Sequence, residues 1–125
     1  MTLTVNQLKI IHKSVFDRFT YVSDKKMWGK DEYWESPSEI PDGNKDIRGD
    51  CDTFALACRK ECRKLGIPSR LVFCYTESEI GHLVLEVDGW IFDNRHAQLI
   101  SRDVLPYRWI RISGYNKGDP WRRLI

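Results

Sequence analysis

The apolar positions near the start of the chain predict an amphipathic helix. Apolar residues recur every three or four positions from Leu8 to Phe19, the interval that gathers them on one face of an α-helix. Thr4 precedes this pattern, and Gln7 lies three residues after Thr4. This spacing is the capping-box arrangement that begins a helix. We therefore expect a first helix from Thr4 to about Phe19.

A second helix is predicted over residues 51–65, where Gly66 and Pro68 end it. We expect four of its charged side chains to face solvent, as such residues usually do on helices: Arg59, Lys60, Arg63 and Lys64. The stretch 25–44 between the helices is irregular, with Trp28, Tyr33 and Trp34. These aromatic side chains either pack this stretch onto the core or wall a substrate cleft, and both interpretations stay open.

Strand patterns follow the second helix, at about residues 69–75, 83–87, 90–93 and 107–112. Asp88 and Gly89 form a strong two-residue hairpin turn between the second and third of them. The order of two helices followed by antiparallel strands predicts an α+β fold.

Length and charge narrow the classes of function. A chain of 125 residues is long enough for one domain with its own hydrophobic core, and a net charge of +2 gives no basic surface for nucleic acid. No apolar run approaches the about 20 residues that span a bilayer. The first residues lack a basic and then apolar signal pattern, so we expect a cytoplasmic protein, or alternatively a phage-associated one.

The four cysteines are expected to be free thiols, because cytosolic proteins rarely keep disulfides. Cys58 and Cys62 lie one helical turn apart and are predicted to pack in the core, and Cys74 lies in a buried strand. Cys51 differs, because it follows a glycine and an acid and opens a helix. Unpaired amides and the positive end of the helix dipole favour a thiolate there, although the neighbouring Asp50 and Asp52 oppose that effect.

The hairpin predicts a base for this thiol. If Val87 pairs with Trp90, then His82 and Asp93 become diagonal neighbours on one face of the sheet, within reach of a hydrogen bond. Asp93 would then hold one ring nitrogen of His82 and leave the other for Cys51. A register slip of one residue would separate the pair. His12 and His96 lack such surroundings, and we expect structural roles for both.

These motifs resemble the bacterial transglutaminase-like cysteine proteinases, in order along most of the chain. Residues 49–55 resemble the nucleophile motif, and residues 81–85 and 92–94 resemble the His and Asp motifs. Tyr21, residues 28–29 and residues 33–39 resemble the aromatic segment that precedes the nucleophile. Tyr107 and Arg108, followed by Asn116 and Trp121, resemble the end of the family domain.

The resemblance implies one papain-like or transglutaminase-type domain over residues 1–125, with a small antiparallel sheet packed on the helix that carries the nucleophile. It implies Cys51 as nucleophile, His82 as general base and Asp93 as the residue that orients it. No cofactor is expected to be required. Calcium beside the nucleophile is an option, with Asp50 and Asp52 as ligands, but Thr53 replaces a further acid that is usual in the family and weakens that expectation.

Three functions are consistent with the sequence. The leading hypothesis is a cysteine endopeptidase that forms a thioester with a protein or peptide substrate. The second is an acyltransferase or amidase that uses the same three residues on protein or cell-wall peptides. The third is a non-catalytic structural or binding module, for example in a phage particle.

Overall fold

The computed structural model describes residues 4–22, 46–116 and 118–125 of the chain. The irregular stretch 25–44, with Trp28, Tyr33 and Trp34, lies outside the described residues, so the two interpretations of its aromatic side chains remain predictions. Neither helix in the described part is long and apolar enough to cross a membrane.

The first helix, α1, spans Val5–Arg18 and begins as predicted. The Thr4 side chain accepts a hydrogen bond from the Gln7 amide, and the Gln7 side chain accepts one from the Thr4 amide. One face of α1 is buried, and it includes His12 together with the apolar residues of the predicted stripe. Phe19 caps the helix and begins the short strand β1, so α1 ends one residue earlier than expected.

The second helix, α2, spans Cys51–Lys64, with Asp50 as its N-cap. It contacts α1 on one side and the sheet on the other. Arg63 and Lys64 are exposed, as predicted, but Arg59 is only 7% exposed. The expected solvent position was therefore wrong for Arg59, because neighbouring elements cover more of this helix than its charge pattern indicates.

The remaining elements are strands, and most of them form one antiparallel sheet. Short strands β1 (Phe19–Tyr21) and β2 (Ile47–Gly49) pair in parallel just before α2. The main sheet has the order β6-β5-β4-β3-β7-β8. Its strands are β3 (Arg70–Tyr75), β4 (Gly81–Val87), β5 (Trp90–Phe92), β6 (Ile100–Ser101), β7 (Arg108–Ile112) and β8 (Arg122–Arg123). The four predicted strands are all present, and the α+β class is confirmed.

Alternation along β4 gives the sheet two buried faces. Leu83 and Leu85 pack with the helices, where Phe54 and Phe92 complete the core. Val84 packs on the opposite face in a smaller cluster that contains Cys74 and Tyr107, among others. His82 lies two residues before Val84 and therefore on this second face, at the start of its strand. The start of β4 meets the start of α2 through Leu83, whose amide faces the Cys51 side chain.

Candidate active site

The cap of α2 holds Cys51 in place. Oδ1 of Asp50 accepts hydrogen bonds from the amides of Asp52 (3.1 Å) and Thr53 (3.4 Å), which satisfies two of the free donors of the first turn. The Cys51 amide takes no part in this cap. A side chain at Gly49 would overlap that of Thr53, so only glycine allows the β2–α2 connection to be this tight.

The Cys51 thiol is partly buried and lies between two groups that have opposite effects on its pKa. Sγ is 3.4 Å from Oδ1 of Asp52, and it also faces the backbone amide of Leu83, the residue after His82. Burial and the charges of Asp52 and Asp50 raise the pKa of Cys51, and the Leu83 amide only partly offsets them. The helix terminus therefore does not lower the pKa of Cys51 in this structure. Burial and the two aspartates, which the sequence analysis set against the helix terminus, outweigh it.

The other three cysteines are free and buried, as predicted. Cys58, Cys62 and Cys74 are all 0% exposed. Burial raises the pKa of Cys62 and of Cys74 to about 12 and that of Cys58 well above its usual value. Cys51 is thus the one cysteine of the four that is not fully buried.

His82 and Asp93 meet across the β4–β5 hairpin. Val87 pairs with Trp90, and Leu85 pairs with Phe92, which confirms the predicted register. Nε2 of His82 lies 2.7 Å from Oδ1 of Asp93, and the two side chains are 6% and 2% exposed. Because Nε2 is hydrogen-bonded to Asp93, Nδ1 is the ring nitrogen that remains available to accept a proton.

Asp93 is surrounded by hydrogen-bond donors. Oδ1 also accepts the Arg95 amide at 2.9 Å, and Oδ2 accepts the Tyr107 hydroxyl at 2.5 Å. Burial favours the protonated acid, but the bonds from His82, Tyr107 and the Arg95 amide together lower the pKa of Asp93 below its usual value. Asp93 is therefore an ionised partner for His82.

The two other histidines lie on either side of Asp93. His12 is 1% exposed, and its Nε2 lies 3.2 Å from the backbone carbonyl of Asp93, to which it can donate a hydrogen bond. His96 is partly exposed, with Nε2 3.3 Å from the Tyr107 hydroxyl. Of the three histidines, His82 is the one that directly precedes a residue, Leu83, whose amide faces the Cys51 thiol, and this makes it the candidate base.

Tyr107 and Arg95 were not predicted as site residues. Tyr107 entered the sequence analysis only as part of a family-like ending, and Arg95 did not enter it. Both contacts to Asp93 come from loop residues whose spacing carries no periodic signal. A tyrosine just ahead of a strand was the only available hint.

Asp50 and Asp52 do not form a calcium site by themselves. One carboxylate caps the helix and the other contacts the thiol. The described residues contain no group of three or more His, Cys, Asp or Glu side chains that could hold a metal ion. Calcium takes six to eight oxygen ligands, so two carboxylates alone do not fit it.

The fold is of the α+β class, and its described residues combine a partly buried cysteine at a helix start with a buried His–Asp pair, as a cysteine hydrolase requires. The chain belongs to the bacterial transglutaminase-like cysteine proteinases, whose family model matches residues 2–125. It is accordingly a transglutaminase-like cysteine peptidase. Membership in this family decides against the non-catalytic module considered above.

Solved structures of LapG from Legionella pneumophila share the fold. One has 20% sequence identity and a TM-score of 0.67, and the match covers 96% of this chain and 74% of that one. The EGTA-treated form has 21% identity and a TM-score of 0.72, with 97% and 67% covered. A calcium-bound form has 21% identity and a TM-score of 0.67, with 96% and 74% covered. No curated protein sequence matches the chain significantly.

Proposed function

We propose that this peptidase cleaves peptide bonds through Cys51, His82 and Asp93, with a thioester intermediate. The observation that carries the proposal is the buried 2.7 Å contact between His82 and Asp93, with the Cys51 thiol against the amide of the very next residue, Leu83. An ionised Asp93 holds the proton of His82 on Nε2, so the lone pair on Nδ1 is available as a base.

The raised pKa of Cys51 sets the order of events. In the resting protein the sulfur is a neutral thiol directed at Asp52. The thiol must turn from Asp52 toward Nδ1 of His82 and give up its proton as it attacks. His82 thus acts as a general base during attack, rather than as one half of a preformed ion pair.

The reaction has two stages, acylation of Cys51 and hydrolysis of the thioester. The sulfur of Cys51 bonds to the carbonyl carbon while its proton passes to Nδ1 of His82. The C–N bond breaks, the amine leaves with that proton, and a thioester remains. A water molecule then gives a proton to His82 and its oxygen to the carbonyl, the C–S bond breaks, and the sulfur takes back the proton. The products are an amine and a carboxylic acid.

The start of α2 supports the negative oxygen that forms during attack. The Asp50 cap uses the amides of Asp52 and Thr53 and leaves that of Cys51. A backbone amide next to the attacking sulfur can donate to the tetrahedral oxyanion, and the positive end of the helix dipole adds to its stabilisation. We assign the Cys51 amide as one donor of this oxyanion hole.

We further propose that calcium is not required for the reaction. Asp50 and Asp52 could hold such an ion only with additional oxygen ligands, and the described residues group no third carboxylate with them. Bound there, it would neutralise the carboxylates that raise the pKa of Cys51. No step above passes through it.

A peptide library incubated with the enzyme in ¹⁸O-labelled water tests the proposal. Hydrolysis places one ¹⁸O atom in each new carboxyl terminus, and acid quenching should reveal an acyl adduct on Cys51 by mass spectrometry. Cys51→Ala and His82→Ala should abolish cleavage, whereas Cys62→Ala serves as the control. Cleavage by Cys51→Ala at the wild-type rate would disprove the mechanism. Products joined to an added primary amine would favour the acyltransferase alternative.

A further inference from the structure

We propose that Tyr107 is a positioning residue that holds Asp93 and His82 in their reactive arrangement. This inference rests on the function proposed above. Tyr107 precedes β7 and is 8% exposed, so its side chain is enclosed behind the site. It contacts Asp93 through its hydroxyl and His82 through its ring, so one side chain touches both members of the pair.

The hydroxyl of Tyr107 directs its proton to Asp93. Its oxygen lies 2.9 Å from Nη1 of Arg95, and a guanidinium can donate but never accept. Two acceptors are then within reach of the hydroxyl proton, Oδ2 of Asp93 at 2.5 Å and Nε2 of His96 at 3.3 Å. The nearer, ionised carboxylate is the stronger acceptor and takes the proton. Arg95 thus fixes the direction of the Tyr107 bond, and Tyr107 fixes the carboxylate oxygen that His82 does not use.

The ring of Tyr107 constrains the imidazole as well. The two ring centroids lie 5.7 Å apart, with an angle of 87° between the planes, so one ring packs its edge against the other. Rotation of the His82 side chain away from Asp93 would break this contact. Tyr107 therefore limits both partners of the 2.7 Å hydrogen bond.

Arg95 is itself anchored from outside. Its guanidinium makes two hydrogen bonds with Glu77, at 3.1 and 2.6 Å, and lies 5.4 Å from the centre of the Tyr107 ring. A row of alternating charges and dipoles runs from Glu77 through Arg95 and Tyr107 to Asp93. Such outer partners orient the groups that perform chemistry.

Several titratable groups surround the His82–Asp93 pair and bear on any pH measurement. His12 contacts the Asp93 carbonyl, and Nε2 of His96 lies 3.9 Å from Oδ2. Cys74 pairs with His82 across β3 and β4, its thiol donating to the His82 carbonyl. The remaining members of the group are Cys51, Arg95 and Tyr107. None of them is altered by the test variant except Tyr107.

The test is the pH profile of kcat/KM for Tyr107→Phe, which keeps the ring and removes only the hydroxyl. We expect kcat/KM to fall on the order of 10-fold through kcat, with KM unchanged because Tyr107 is buried behind Asp93 and His82. With one donor fewer, Asp93 should stabilise the protonated imidazole more strongly. The acid limb of the profile should then move to higher pH by about half a unit. Tyr115→Phe is the matched control, since Tyr115 lies near the far end of α2 with Arg63 and Gly66.

Titration of the ¹⁵N-labelled His82 ring by NMR gives a second readout that needs no substrate. We expect Tyr107→Phe to raise the His82 midpoint and Tyr115→Phe to leave it unchanged. An unmoved midpoint and acid limb in Tyr107→Phe would overturn the positioning role, even if the variant were less stable. If Cys51→Ala retained cleavage, the proposed mechanism would fail, whereas an inactive Cys51→Ala with an unmoved Tyr107→Phe would refute this inference alone.

Discussion

Nε2 of His82 contacts Oδ1 of Asp93 at 2.7 Å, although the two residues are 11 positions apart in the chain. A hairpin closed by Asp88 and Gly89 accounts for this contact, because its two-residue turn fixes which side chains share a face. The pairing needs no long-range folding event beyond closure of one turn. A His–carboxylate pair of this kind is therefore encoded locally, and its integrity depends on the turn.

The first prediction concerns that turn. Asp88 and Gly89 both have positive φ, at 51° and 86°. We expect Gly89→Val to destabilise the protein by about 1–2 kcal/mol, since a side chain is strained in the left-handed region. Urea unfolding gives the measurement. Asp88→Asn is the control and should stay within about 0.5 kcal/mol, because asparagine tolerates positive φ. Equal losses in both variants would contradict the strain explanation.

The second prediction concerns the charge on Asp93. Asp93→Asn keeps the shape but removes the negative partner of His82, and one carboxamide cannot satisfy the donors on both oxygens. We expect kcat/KM to fall on the order of 100-fold, while circular dichroism shows the folded state unchanged. The exposed Asp103→Asn should retain wild-type activity. Full activity in Asp93→Asn would remove Asp93 from the mechanism.

Much of the site could be predicted because it depends on short-range patterns. The cap of α1 by Thr4, the helix start at Cys51 and the hairpin that joins His82 to Asp93 all follow from residues close together in sequence. Each rule concerns one turn or one pair of strands. All three features are present in the structure.

The parts that sequence did not predict depend on distant contacts. Strands β1 and β2 are three residues each, too short to show alternation, and they pair across the stretch between them. The donors around Asp93 come partly from Tyr107, 14 residues further on. The pKa of Cys51 depends on how deeply the folded chain buries the thiol, which a helix-start pattern does not reveal.

The third prediction concerns the effect of Asp52 on the pKa of Cys51. Asp52 raises the pKa of Cys51 both by its charge and by its contact with the thiol. Asp52→Asn should lower this pKa, so alkylation of Cys51 by iodoacetamide at pH 7 should accelerate by about 5-fold. Asp50→Ser is the comparison, because serine keeps a cap while it removes a charge. It should accelerate alkylation less, since the charge of Asp50 raises the pKa of Cys51 less than that of Asp52 does. A slower reaction in Asp52→Asn would show that the carboxylate assists the thiol.

The fourth prediction concerns calcium. The described residues provide two carboxylates beside Cys51, and Thr53 stands on the same turn. We expect exchange of EGTA for calcium to shift the melting temperature of the wild type by no more than about 1 °C, because two carboxylates are few for an ion that prefers six to eight oxygen ligands. Thr53→Asp adds a third carboxylate and should gain a calcium-dependent rise of several degrees. A calcium-dependent rise of that size in the wild type would show that other residues complete the site.

The fifth prediction concerns the buried His12. Its ring packs among Phe16, Phe54 and Phe92, and Nδ1 has no hydrogen-bond partner in the described part of the chain. Burial lowers the pKa of His12 below its ordinary 6.5, because a charged ring would be poorly solvated there.

A lowered pKa means that the unfolded chain binds more protons than the folded one between the folded pKa and 6.5. The contribution of neutral His12 is therefore complete above pH 6.5 and is lost as the pH falls through that window. We expect the free energy of unfolding, measured in urea from pH 8 to pH 5, to decline by up to about 1.4 kcal/mol per pH unit more in the wild type than in His12→Phe.

Phenylalanine fits the aromatic surroundings and cannot titrate, although it loses the bond to the Asp93 carbonyl. The variant should accordingly be less stable at pH 8 yet flatter in its pH dependence, while His96→Gln, altered at a partly exposed site, should follow the wild type. Parallel curves for wild type and His12→Phe would place the acid sensitivity elsewhere.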